Sequence, residues 1–210
     1  LETSLPAAAY NATLITHGTE LYTLFSDDAD ANKRIKAMKN SGADGAAWND
    51  VGGYISLGAV GGDSGSLFSD NGSLYVAYAD SDDTVASGGT PRLFVKTFSG
   101  SAWSAVGSAD GVSIYDTDTG TALGKWGSVP ALTVANTSPF LVYRTGSGGV
   151  VDSLCFPGSG EYWEEADSSF WLDLLDPDPV PITAAWIELD TDASGSPIAA
   201  LQGGSSTQVE

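Results

Sequence analysis

Ser64 stands in Gly62-Asp63-Ser64-Gly65-Ser66, a turn of small residues that would expose a hydroxyl. Such a hydroxyl becomes a nucleophile only with a histidine base and an orienting carboxylate within hydrogen-bond reach. The sequence holds one histidine, His17, in Ile15-Thr16-His17-Gly18, a context that suits a turn. Cys155 is the single cysteine and lies in Ser153-Leu154-Cys155-Phe156. Its apolar neighbours make it a small buried hydrophobe rather than a nucleophile, and one cysteine permits no intrachain disulfide.

Carboxylates are more plentiful. Asp116-Thr117-Asp118-Thr119-Gly120 and Asp190-Thr191-Asp192-Ala193-Ser194-Gly195 place oxygen ligands at alternate loop positions, as a hard cation requires. The second starts like an EF-hand loop, but its twelfth position is Leu201 and no glutamate closes it. Structural calcium at Asp116 and Asp118, or at Asp190 and Asp192, is one expectation, and ordinary Asx turns are the plainer one. No other cofactor is expected. Glu161, Glu164, Glu165 and Asp167 gather around Trp163, and a pair of carboxylates is what glycoside hydrolysis uses.

Gly62 to Gly65 is similar to the segment around the nucleophile of chymotrypsin-like proteases. Positions 17 and 64 are only 47 residues apart, too little chain for the two barrels between base and nucleophile there, so a serine protease is not expected. A sialidase-like propeller would need an arginine cluster, whereas only Arg34, Arg92 and Arg144 are present, and the turns do not fit the Asp-box, since Asp44 directly precedes Gly45 and the other two copies lack the aspartate.

Twenty-seven acidic side chains face 8 Lys and Arg, a formal charge of −19. That field repels phosphate backbones and anionic headgroups, which argues against nucleic-acid and membrane-surface partners. It serves solubility, or life in high salt. Half of the positive charge is in Lys33, Arg34, Lys36 and Lys39, a solvated face. No apolar run approaches the ~20 residues of a spanning helix. The chain starts at Leu1, as a processed product, a trimmed chain or part of a longer one would.

The elements that must position these groups repeat. Gly45-Ala46-Ala47-Trp48, Gly100-Ser101-Ala102-Trp103 and Gly160-Glu161-Tyr162-Trp163 are 55 and then 60 positions apart. Each follows an alternating run: 35–38, 93–98 and 151–156, the period-2 pattern of half-buried strands. Upstream, more apolar strands recur at 21–25, 74–78, 139–143 and 197–201, and proline-led strands open at 130 and 181, with a weaker copy at 5–10. The segment from Asp28 to Asn40 has the only helix-like ends, yet strand pairing explains it equally well. With 42% hydrophobic residues the chain can bury a core of domain size.

Four short strands repeated at this spacing match a propeller blade. The pattern resembles the secreted bacterial and archaeal β-propellers whose blades carry a Leu-Tyr-Val-Ala-Tyr-like strand before a Gly-x-x-Trp turn, here from about Leu14 to Leu201. The resemblance implies an all-β, propeller-like fold with about three and a half four-stranded blades, and a β-sandwich or jelly roll is the alternative. One repeat-built domain over 1–210 is expected, with blades at about 5–58, 59–129, 130–180 and an incomplete 181–210. Trp48, Trp103 and Trp163, at one place in each repeat, are expected to pack between neighbouring blades. Trp126 and Trp171 fall outside the repeat and are the candidate ligand-binding aromatics.

The expected function is a non-catalytic extracellular module, on or outside the cell surface, for adhesion, surface or filament assembly, or ligand binding; no enzyme activity is expected. A carbohydrate-binding lectin is the alternative, and a glycoside hydrolase a further one. The expected partners are further copies or other subunits completing the ring or a filament, and a glycan. Asn11, Asn71 and Asn136 each open a glycosylation sequon.

Overall fold

The computed structural model describes residues 9–27, 29–41, 47–56, 65–80, 91–125, 127–135, 137–145, 150–166 and 184–203. All regular structure among them is strand. The first sheet holds β1 (Ala9–His17), β2 (Glu20–Asp27), β3 (Ile35–Asn40) and β4 (Trp48–Tyr54), paired antiparallel in chain order. The second repeats it with β5 (Ser66–Asp70), β6 (Ser73–Asp80), β7 (Arg92–Phe98) and β8 (Trp103–Ala105). A small hairpin follows, β9 (Ser113–Asp116) and β10 (Thr121–Gly124). The third sheet is β11 (Ser128–Ala135), β12 (Ser138–Thr145), β13 (Val150–Cys155) and β14 (Glu164–Glu165). A two-stranded sheet ends the described chain, β15 (Ala184–Thr191) with β16 (Pro197–Gly203).

The fold is all-β, with three four-stranded blades and half of a fourth. First strands of successive sheets lie side by side, β1 by β5, β5 by β11 and β11 by β15. The sheets therefore stack face to face around an axis as propeller blades do.

The core lies between the blades, which explains why the second strands are so apolar. Along β6, Leu74, Val76 and Tyr78 join the cluster shared with the first blade, while Ala77 and Ala79 join the cluster shared with the third. Along β12, Leu141 and Tyr143 face the second blade, whereas Phe140 and Val142 face Ile187 and Leu189 of the fourth. A strand buried on both faces must be apolar at consecutive positions, and the period-2 signal vanishes from it. The segment with helix-like ends forms a turn and then β3, with Ile35 and Ala37 fully buried.

Turn chemistry fixes the registers. Asn71 and Gly72 both have positive φ, 44° and 79°, the two-residue turn whose twist matches flanking strands, and Asp70 pairs with Ser73 across it.

Two of the three recurring tryptophans stitch the blades together. The Trp103 indole N–H donates to the Val51 carbonyl of the first blade at 2.8 Å. The Trp163 indole N–H donates to the Val106 carbonyl, at the end of the second, at 3.2 Å. Trp48 opens β4 opposite Asn40. These bonds across the blade boundary set the stacked-blade arrangement apart from a two-sheet sandwich.

Candidate functional site

The β9–β10 hairpin leaves the path from the second blade to the third and is fastened at its base. Lys125 N–H donates to the Val112 carbonyl at 2.8 Å, and Leu93 N–H donates to the Lys125 carbonyl at 3.1 Å. On its other side Trp163 N–H donates to the Ser113 carbonyl at 2.7 Å and Ser108 N–H to the Glu161 carbonyl at 3.1 Å, while Ile114 bridges Trp163 in parallel. Both walls are thus backbone-bonded to one another at the bottom and open at the top.

Between the hairpin and segment 157–165 lies an open cleft of about 700 Å³. That volume suits a small ligand or a few units of a chain polymer. Tyr115 and Leu123 line the hairpin wall, Tyr162 and Glu161 the opposite one, and Trp163 forms the floor. The Tyr115 and Tyr162 rings sit 5.1 Å apart between centroids at 45°. Tyr115 is 49% exposed and Leu123 44% exposed, so these two offer apolar surface to solvent beside the half-buried Tyr162.

The hairpin turn is held by its own aspartate. One Asp116 carboxylate oxygen accepts from Asp118 N–H at 2.9 Å and the other from the Thr119 hydroxyl at 2.8 Å. The Thr119 hydroxyl, then the Asp118 amide, hold the Asp116 carboxyl below the usual carboxylate range, so it stays ionised beside Tyr115. Glu164 and Glu165 rise from β14 on the far wall, both exposed. Lys125 lies 3.2 Å from Glu165 and 3.9 Å from Asp152, so one ammonium is shared by a carboxylate of the cleft and one of β13.

The carboxylates Glu161, Glu164 and Glu165 thus converge with two tyrosines, whereas Asp167, Trp126 and Trp171 lie outside the described residues. Tyr115 and Leu123 escape the sequence pattern because their strands are only four residues long and enclose an Asp-Thr-Asp-Thr-Gly turn. The alternation Ile114-Tyr115 and Ala122-Leu123 around that turn is the signal that marks them.

The remaining candidates are apart from this cleft or serve the backbone. Asp118 lies exposed in the hairpin turn, and Asp190 at the end of β15 is exposed too. One Asp192 oxygen accepts from the Ser194 and Ser196 amides, each at 2.8 Å, and from the Ser194 hydroxyl at 2.6 Å. Among the described residues no group of three or more His, Cys, Asp or Glu side chains is placed to hold a metal. His17, at the end of β1, shares a 2.7 Å hydrogen bond with Ser69 of the second blade, and residues 62–64 are outside the described ones. Cys155 is half-buried against the cluster between blades three and four, and burial pushes its thiol up.

No family model matches the chain, and no curated protein matches it. Among solved structures it is similar to a glycosyl hydrolase from Bacteroides ovatus, with 12% identity and a TM-score of 0.46, covering 95% of this chain and 68% of that one. It is also similar to a GH43_1 enzyme from Xanthomonas citri, at 11% identity and TM-score 0.36 over 97% and 90% of the two chains. A Hadza microbial sialidase matches at 14% identity and TM-score 0.40 over 96% and 54%. What those proteins act on stays with them. The expectation of a non-catalytic module for adhesion or assembly, with no enzyme activity, is nevertheless corrected. The solved structures it is similar to are named as glycoside hydrolases and a sialidase, and none as an adhesion or assembly module.

Proposed function

We propose that this chain is a carbohydrate-active propeller protein that engages a glycan in the cleft between the β9–β10 hairpin and the third blade. The observation that carries this is the pairing of the exposed Tyr115 ring with the half-buried Tyr162, flanked by Glu161, Glu164 and Glu165 in an open cleft. A sugar ring has an apolar face of C–H bonds that lies against an aromatic ring, and hydroxyls at its rim that donate to carboxylates. The cleft offers both kinds of partner on opposing walls. Its openness suits an internal stretch of a polymer rather than an engulfed monomer. An extracellular or cell-surface location goes with this reading, being where large polysaccharides are met.

Glycoside hydrolysis at the same cleft is the second reading, favoured by the three glutamates on one wall. One carboxyl would protonate the leaving oxygen and a second would act as base or nucleophile.

The experiment is a glycan array with the intact chain, followed by incubation of each bound glycan and analysis of its reducing ends. Binding lost in Tyr162→Ala supports the first reading. New reducing ends that disappear in Glu164→Gln or Glu161→Gln support the second. Array binding that survives loss of both tyrosines contradicts the assignment of the cleft.

A further inference from the structure

We infer that the cleft selects its saccharide by charge, taking amino sugars with free ammonium groups ahead of neutral sugars and rejecting acidic ones. This rests on the proposal that the cleft engages a glycan, and it concerns which glycan. Its physical basis is the composition of the walls. Among the described residues four carboxylates line the cleft, Asp116, Glu161, Glu164 and Glu165, and no lysine or arginine lines it. Beside it the Lys125 ammonium is divided between Glu165 at 3.2 Å and Asp152 at 3.9 Å. Local counter-charge therefore does not balance the lining.

The surroundings make this worse for an anion, because the whole chain carries −19. A uronate or sialic acid carboxylate entering the cleft would meet like charge on both walls, and among the described residues no guanidinium lines it to make a bidentate contact with that carboxylate. A glucosamine ammonium meets the opposite. It can donate to a glutamate at the rim while its ring lies on Tyr115 or Tyr162, and an ammonium over an aromatic face is itself attracted. Asp116 is held ionised by its turn, so the hairpin wall keeps its charge when a ligand lies against it.

The test uses three linear tetrasaccharides titrated into the intact chain: fully deacetylated glucosamine, its N-acetylated neutral counterpart and galacturonate. At about 0.02 M salt the deacetylated oligomer should bind roughly tenfold tighter than the neutral one, with galacturonate not bound. Raising salt to about 0.5 M should close most of the gap without weakening the neutral oligomer. The double variant Glu161→Gln Glu164→Gln should weaken the deacetylated oligomer far more than the neutral one and so bring the two affinities together.

Equal affinity for the two oligomers in the unmodified chain, or any preference for galacturonate, overturns the selectivity and leaves glycan binding at the tyrosines intact. Tetralysine binding as tightly as the glucosamine oligomer also overturns it, since charge alone would then suffice. No binding of any of the three, with the array negative as well, removes the underlying assignment together with this one.

Discussion

Gly52 and Trp103 touch across the boundary between the first two blades: a Cβ on Gly52 would fall 2.8 Å from Cδ1 of Trp103, whose indole N–H is already bonded to the neighbouring Val51 carbonyl. The same contact recurs one blade on, where a Cβ on Gly107 would lie 3.0 Å from Nε1 of Trp163, bonded to Val106. Trp-x-x-Val-Gly is thus a socket and plug. Each Val-Gly receives the tryptophan of the next blade.

Gly53 provides the control for this contact. Gly52 and Gly53 share φ of +75°, but a Cβ on Gly53 meets nothing within 4 Å. Gly53→Ala should therefore cost only the backbone penalty of about 1 kcal/mol. Gly52→Ala should add a clash of roughly 1–3 kcal/mol more. Urea unfolding of the two variants measures the difference directly, and equal losses would mean that Trp103 moves aside freely.

Acid should loosen the turn between the second and third strands. Asp30 accepts from the Arg34 guanidinium at 2.8 and 2.9 Å, which lowers its pKa to about 2 from an ordinary value near 3.8. A carboxyl depressed in the fold adds stability that is complete above the ordinary value and is lost as pH falls through the folded one. Asp30→Asn should therefore melt lower than the parent at pH 7, and the two should converge near pH 2. A gap that persists unchanged at pH 2 would place the effect in packing rather than charge.

Alkali acts on the core. Burial pushes the phenols of Tyr78 and Tyr143 far up, and the Asp152 carboxylate accepting from Tyr143 at 2.7 Å adds to it. A raised folded pKa gives stability that is whole below the unfolded value of about 10 and is lost as pH rises beyond it. Of the 8 tyrosines, these two should ionise only as the chain unfolds. Phenolate absorbance followed beside circular dichroism checks this, and Tyr78→Phe with Tyr143→Phe should flatten the loss of stability above pH 10.

The blades were legible because their signals are local. Half-buried strands such as β7 alternate, and turns such as Asn71-Gly72 state their geometry in their residue types. The tryptophan repeat was legible too, but its socket was not, since Val51-Gly52 and Trp103 are joined only by stacking two sheets. The cleft divides similarly. Its glutamates stood out as a cluster in sequence, whereas Tyr115 and Tyr162 are 47 positions apart and meet only because Ile114 bridges Trp163. The acidic loops show the converse. Spacing suited to a cation is also the spacing of an aspartate that caps its own turn, as Asp116 and Asp192 do.

The most direct measurement is a calorimetric titration of the strongest array glycan into the parent chain and into Tyr115→Ala Tyr162→Ala, with thermal melts to show both are folded. The cleft assignment predicts that the double variant melts within a few degrees of the parent and binds at least ~10-fold more weakly. A folded double variant with unchanged affinity would contradict it and place the saccharide elsewhere on the propeller.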